Sequence, residues 1–281
     1  MRTPLTMLVA SLLTLSACSG EDTKAPVTPP PEVKVEAPAP SPSLSLDELT
    51  KAAENTQLVP SPMEMQRALE KAGIAEGLDK LVVDRKLKLD IANKDIVAVR
   101  TGVILADALL TVKGAPKENI QARLGTVKDG LSSLGAGKDL PSVIDDLIAK
   151  VTNDGISRDD LVKELDDLHG AVIPEIRYEA GERCVPLLQA GSWLEGANLV
   201  SAAIIAANKP EAGDKLLRQP LVVDYFLKYV KVEGAGKADG EVLKQLESTL
   251  LKLKEVAAKP SLTIDDVKEV KAQTDAILAL L

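Results

Sequence analysis

Two stretches of the chain, 95–112 and 193–207, are apolar on nearly every face of a helix, and they constrain the fold more than any other feature. A helix without a solvated face must be enclosed by other helices, so both are predicted at the centre of a large bundle. We exclude membrane spans, because a bilayer requires about 20 apolar residues and polar side chains interrupt both runs. The interrupting residues are Arg100 and Asp107 in the first run and Glu195 and Asn198 in the second.

The remaining body is rich in leucine and alanine, while aromatic residues make up 2% of the chain. This composition favours helices over strands. We therefore predict an all-α fold, a multi-helix bundle with two central apolar helices. The predicted helices cover 45–55, 62–72, 95–112, 117–134, 140–152, 158–169, 173–190, 193–207, 211–218, 220–232, 240–258 and 264–280. Apolar residues alternate only weakly in 77–93, so this stretch is interpreted as either a loop or a short strand.

Capping chemistry marks where these helices begin and end. Capping boxes pair Ser61 with Glu64, Ser157 with Asp160, Ser192 with Glu195 and Thr263 with Asp266. Glycines at helix C-termini are predicted at Gly73, Gly135, Gly170 and Gly191.

A weak internal repeat raises the hypothesis of a duplicated helical unit. The sequence Gly-Ala-Gly-Lys occurs at 135–138 and again at 234–237, each time after a central apolar stretch. The alternative is chance recurrence of loop and cap chemistry.

The N-terminus has the pattern of an export signal. Residues 1–17 combine Arg2 with an apolar run from Leu5 to Leu15 and small residues before Cys18. The segment Leu15-Ser16-Ala17-Cys18 resembles the lipobox of bacterial lipoproteins. The resemblance implies that residues 1–17 are a signal peptide and that Cys18 is acylated, whereas an ordinary secretory signal is the alternative. Ser19, where the family's inner-membrane proteins carry aspartate, implies the outer membrane, with the protein facing the periplasm.

Seven prolines between Glu21 and Ser43 make this segment unable to form a core and favour extended polyproline II. We predict three parts: the signal peptide at 1–17, an acylated cysteine with a proline-rich linker at 18–43, and an all-helical domain at 44–281. A proline-rich docking ligand is the alternative interpretation of the linker.

Composition argues against a nucleic-acid partner, because 42 acidic residues outnumber 34 basic ones. Few residues are typical of catalysis or metal binding. His169 is the single histidine and is interpreted as a cation at a helix end, while Cys184 is interpreted as a buried packing residue. We predict no catalytic residue, metal or cofactor.

The richest concentration of functional side chains lies between Pro174 and Asn198. We predict a ligand or partner pocket whose members are Arg100, Asp107, Arg177, Tyr178, Trp193, Glu195 and Asn198. A buried arginine requires a carboxylate or a bound anion, so Arg100 is expected to pair with Glu195 or Asp107. The alternative is an internal salt bridge that only fixes helix packing.

Together these features predict a lipid-anchored cell-envelope protein, held to the membrane through its N-terminal lipid. Its non-enzymatic helical body is expected to bind an envelope protein or a small ligand. Two alternatives remain: a periplasmic enzyme that uses carboxylates such as Glu179 or Glu182, and a purely structural spacer.

Overall fold

A computed structural model describes residues 59–74, 77–233 and 240–281, which all belong to one compact unit, Leu44–Leu281. The predicted signal peptide, Cys18, the proline-rich linker, the helix at 45–55 and the second Gly-Ala-Gly-Lys sequence lie outside the described residues.

The described residues form helices joined by short connections, and they contain no strand, which confirms the all-α prediction. The helices are α1 (Pro62–Lys71), α2 (Lys94–Thr111), α3 (Lys117–Leu134), α4 (Asp139–Thr152), α5 (Arg158–Glu179), α6 (Cys184–Ala207), α7 (Gly213–Leu216), α8 (Pro220–Glu233), α9 (Gly240–Ala257) and α10 (Ile264–Leu278). Short 3-10 turns lie at Leu78–Lys80 and Pro210–Ala212. Residues 81–93 connect to α2 without regular structure.

Three of the predicted N-terminal caps are confirmed. Ser61 and Thr263 each form both bonds of a capping box, and the Ser157 side chain accepts from the backbone N–H of Asp160. Asn93 caps α2 in the same way, accepting from the first turn. These side chains satisfy N–H groups that have no partner within the helix.

The predicted boundaries between 169 and 193 are wrong. Helix α5 continues through Gly170 and Pro174, and the chain breaks at Gly181, whose φ of 92° is the left-handed conformation that glycine favours. Helix α6 then continues through Gly191 and Ser192, so neither residue is a cap. Burial of a continuous apolar helix outweighs the local preference of these residues for helix ends.

Helices α2 and α6 form the most extensive contact in the fold, as predicted for the two central helices. Glycines lie where their backbones meet. A Cβ on Gly102 would overlap the carbonyl oxygen of Leu188, and a Cβ on Gly191 would overlap that of Val99. The absence of side chains at both positions therefore sets how closely the central helices approach.

Hydrophobic clusters lie on both sides of this central pair. One contains α3, α4 and α5 together with the N-terminal part of α6, and the other contains α1, α8, α9 and α10 together with the remainder of α6. Helix α3 packs on α2, whereas the last helix, α10, packs on α6. The duplicated unit remains a prediction, because half of its repeated sequence lies outside the described residues. Within the described part of the chain, no helix has the length and apolarity required to cross a membrane.

We expect Gly191→Ala to destabilise the protein by about 3 kcal/mol, because the new methyl group forces the central helices apart. Gly125→Ala is the matched control: it lies within α3 with open space around its Cβ position. Its higher helix propensity should stabilise the protein by about 0.5–1 kcal/mol. Urea unfolding of the full chain measures both changes. Equal stabilities for the two variants would contradict the close-approach argument.

Candidate functional site

The structure does not gather the seven predicted pocket residues into one site. The pairing expected for Arg100 is wrong: its guanidinium donates to the backbone oxygen of Lys88 at 2.6 Å and to that of Leu281. Arg100 is half-buried, so its head group reaches the edge of the bundle instead of the space between the central helices.

The other members are also dispersed. Arg177 and Tyr178 lie at the C-terminal end of α5, where Tyr178 is 84% exposed. Trp193 is buried in the core beside Phe226, with their ring centroids 5.6 Å apart, and its Nε1 donates to Gln219 Oε1 at 2.8 Å. Asn198 is buried against α10, donating to Thr274 Oγ1 at 3.0 Å and Asp275 Oδ1 at 2.7 Å.

Two predicted residues, Asp107 and Glu195, do meet in the space between α2 and α6. Glu195 is completely buried, and its Oε2 accepts from Arg85 Nη1 at 2.7 Å. Arg85 lies in the irregular segment 81–93. It pairs with Glu195 in the place where Arg100 was expected. The internal ion pair is present, with a different arginine.

Burial raises the pKa of Asp107 well above its ordinary value. The neighbouring Glu195 raises it further, by charge repulsion and by a hydrogen bond between the two side chains. Arg85 and Arg123 act in the opposite direction with smaller effects. The raised pKa favours the protonated, uncharged form of Asp107 beside Glu195.

An open cleft of about 560 Å³ lies between α1, the turn at Leu78–Lys80 and the C-terminal end of α2. Its lining residues are Gln66, Glu70, Gly77, Leu78, Asp79, Lys80, Leu110, Thr111, Lys113 and Gly114. This volume is in the range of small-molecule sites, about 300–1,000 Å³.

Gln66 is the most informative residue of this cleft. Its side chain is 2% exposed, and its amide oxygen has no hydrogen-bond partner in the described part of the chain. Buried polar groups are nearly always hydrogen-bonded, so an unpartnered amide in a cleft indicates a missing donor. The amide oxygen is itself buried, so a donor in the cleft reaches it only when the Gln66 side chain rotates and brings the oxygen to the cleft surface.

The buried carboxyl pair lies one helical turn from the cleft. Thr111 lines the cleft, and its hydroxyl donates to the backbone oxygen of Asp107 at 2.5 Å. The same hydroxyl accepts from the Arg123 guanidinium. Thr111 therefore links the cleft to the charged groups between the central helices.

Sequence reasoning missed both Gln66 and Arg85. A signal for Gln66 exists, because it follows Met65 and precedes Leu69 on the buried face of α1. A glutamine in that apolar stripe has to find a polar partner or carry a function. Arg85 lies in a segment without periodicity, and only the fold brings it to Glu195.

The other reactive side chains lie away from the cleft. Cys184 is buried as predicted, and burial raises the pKa of its thiol, which opposes formation of a reactive thiolate. The predicted helix end at His169 is wrong, since α5 continues to Glu179, and burial lowers the pKa of this histidine. Among the described residues, no cluster of three potential ligands could hold a metal ion.

Comparison with protein family models, curated proteins and solved structures finds no significant match.

We expect Asp107→Asn to stabilise the protein at neutral pH by about 1 kcal/mol, because asparagine replaces a carboxyl group that is costly to ionise. The folded pKa of Asp107 lies above its unfolded value, so the wild type is favoured below about pH 4 and loses stability as the pH rises through the folded pKa. The variant has no carboxyl group at position 107, so its stability does not fall in this way as the pH rises. Urea unfolding between pH 4 and 8 measures the difference, with the exposed Asp90→Asn as control. Parallel curves for Asp107→Asn and wild type would contradict the raised pKa of Asp107.

Proposed function

We propose that this chain is a lipid-anchored protein of the cell envelope whose non-enzymatic helical body binds a small polar ligand in the cleft at Gln66. The observation that carries the proposal is Gln66, which lines an open cleft and whose amide oxygen is buried without a hydrogen-bond partner among the described residues. An unsatisfied buried polar group costs about 1–3 kcal/mol, and a ligand that donates a hydrogen bond would recover that cost.

The helix that carries Gln66 is well suited to hold a binding residue in place. Ser61 and Glu64 close a capping box at its start, and Pro62 occupies its first turn. Met65 and Leu69, on either side of Gln66, are almost completely buried. A binding residue on a rigid, packed helix loses little conformational entropy when a ligand binds.

The lipid anchor rests on the resemblance of Leu15–Cys18 to a lipobox. Acylation of Cys18 would fix the chain to a membrane, and the proline-rich segment would separate the body from the lipid surface. Ser19 supports the outer membrane, with the cleft available to solutes of the periplasm.

The alternatives have less support. The candidate carboxylates Glu179 and Glu182 are exposed near the C-terminal end of α5 and do not line the cleft, and Asp107 lies outside the cleft lining. A purely structural spacer would not require an unpartnered glutamine in a cleft. An envelope protein is the remaining candidate partner, and crosslinking in intact cells would identify it.

The Gln66→Met variant separates ligand binding from packing. Methionine has a similar shape and no polar atoms, so we expect stability to rise by about 1 kcal/mol because the unpartnered oxygen is removed. Compounds from a library of small polar metabolites that raise the melting temperature of the full-length wild type should no longer do so for the variant. Gln273→Met, which changes a glutamine on α10 that is not in the cleft, is the control. Equal melting shifts in wild type and Gln66→Met would refute the cleft as the binding site.

The anchor has its own test. We expect radiolabelled palmitate to be incorporated into the wild type and to be absent from Cys18→Ala, and we expect the variant to leave the membrane fraction. Cys184→Ala is the control, because it removes the other thiol and keeps the lipobox. Palmitate labelling of Cys18→Ala would eliminate the anchor and leave the binding proposal intact.

A further inference from the structure

The charged side chains of the cleft identify the chemical class of ligand that it can accept, provided that the proposed binding function is correct. Two acidic and two basic side chains line it: Glu70, Asp79, Lys80 and Lys113. Glu70 and Lys113 already form an ion pair with each other across α1 and the end of α2. This pair closes one side of the cleft and leaves its charges largely neutralised.

Asp79 and Lys80 differ from this pair. They are neighbours in the 3-10 turn, both line the cleft, and neither has an ion-pair partner within 59–74, 77–233 and 240–281. The cleft therefore presents one negative and one positive group on the same short turn. Because they are adjacent in sequence, one small molecule can reach both.

The rest of the lining is apolar or forms hydrogen bonds. Leu78 and Leu110 are almost completely buried and supply apolar surface, while Gln66 supplies the unpartnered amide. A complementary ligand thus has a cationic donor, an anionic acceptor and a short apolar part. The non-polar share of the binding energy comes from removing that part of the ligand from water, because Leu78 and Leu110 are already almost completely buried.

We infer that the cleft binds a small zwitterion carrying an ammonium and a carboxylate group, of the class of free amino acids and short peptides. The ammonium faces Asp79, the carboxylate faces Lys80, and the Gln66 side chain rotates to accept an N–H of the ligand. A simple anion would be repelled by Asp79 and a simple cation by Lys80. A neutral sugar would leave both charges without a partner and would bury hydroxyl groups against leucine.

Isothermal titration of the full-length protein tests this inference with four probes. These are L-leucine, glycyl-L-leucine, N-acetyl-glycyl-L-leucine and glycyl-L-leucinamide. We expect glycyl-leucine or leucine to bind with a Kd of about 1 mM or tighter, and each blocked dipeptide to bind at least about tenfold more weakly than glycyl-leucine. Comparison of leucine with glycyl-leucine distinguishes an amino-acid site from a peptide site.

Variants assign the two charges. Lys80→Met should weaken binding of the zwitterion about tenfold and remove the preference for a free carboxylate, while Asp79→Asn should remove the preference for a free amine. Lys86→Met and Asp84→Asn are matched controls, because these exposed residues follow in the same connection but do not line the cleft. All four substitutions are outside the buried core, so each variant should melt close to the wild type.

The outcomes separate the ligand class from the site. If neither leucine nor glycyl-leucine binds, or if both blocked dipeptides bind as tightly as glycyl-leucine, the zwitterion assignment is overturned. The proposed binding function then still stands if another small molecule binds in a manner that Gln66→Met abolishes. If Gln66→Met leaves all observed binding unchanged, the cleft itself is overturned. Loss of discrimination in Lys80→Met and Asp79→Asn, but not in their controls, supports the assignment.

Discussion

The close approach of α2 and α6 is the constraint on which the rest of this structure depends. At Gly102 and Gly191 the backbone of each helix occupies the space where a side chain of the other would lie. Helices that approach this closely leave little room for water between them, so every polar group on the facing surfaces has to be satisfied by the protein. Glu195 is such a group, and its Oε2 accepts from Arg85 in the segment 81–93. That segment follows the turn at Leu78–Lys80, so the connection fixed by the buried ion pair also contributes one wall of the cleft.

The buried charges of Asp107, Glu195 and Arg85 also affect how the segment 81–93 is held in position. Burial and the neighbouring Glu195 raise the pKa of Asp107, while Arg85 and Arg123 oppose this effect and Arg85 pairs with Glu195. Such a network contributes less to stability than apolar packing of the same volume would, because desolvation of the ions offsets their attraction. Its effect is to specify position: the Arg85 side chain has one buried carboxylate to pair with, and the connection is anchored there.

The sequence predicts the fold better than it predicts the site, and particular residues show why. The structure places the limits of α2 and α3 within one residue of the predicted positions, because the apolar run marks α2 and Gly135 ends α3. Gly170 and Gly191 are wrongly predicted as helix ends. Gly191 is needed where the central helices meet, which local propensity cannot show, whereas Gly170 lies within α5 with open space around its Cβ position. The sequence predicts that an arginine pairs with Glu195, but the arginine that does so, Arg85, is 110 residues away in an irregular segment. Periodicity and spacing carry no information about such a contact, or about a cleft formed by three separate elements.

The order of the helices along the chain has a consequence for how the protein reaches its folded state. Helix α2 ends at Thr111, and its main partner is completed only at Ala207. At a synthesis rate of about 5–20 residues per second, the apolar surface of α2 waits roughly 5–20 s before α6 can cover it. A nascent chain in this interval exposes the kind of surface that drives aggregation, and non-local contacts of this separation form slowly. The surface of α2 that meets α6 therefore stays without its final partner until α6 is complete.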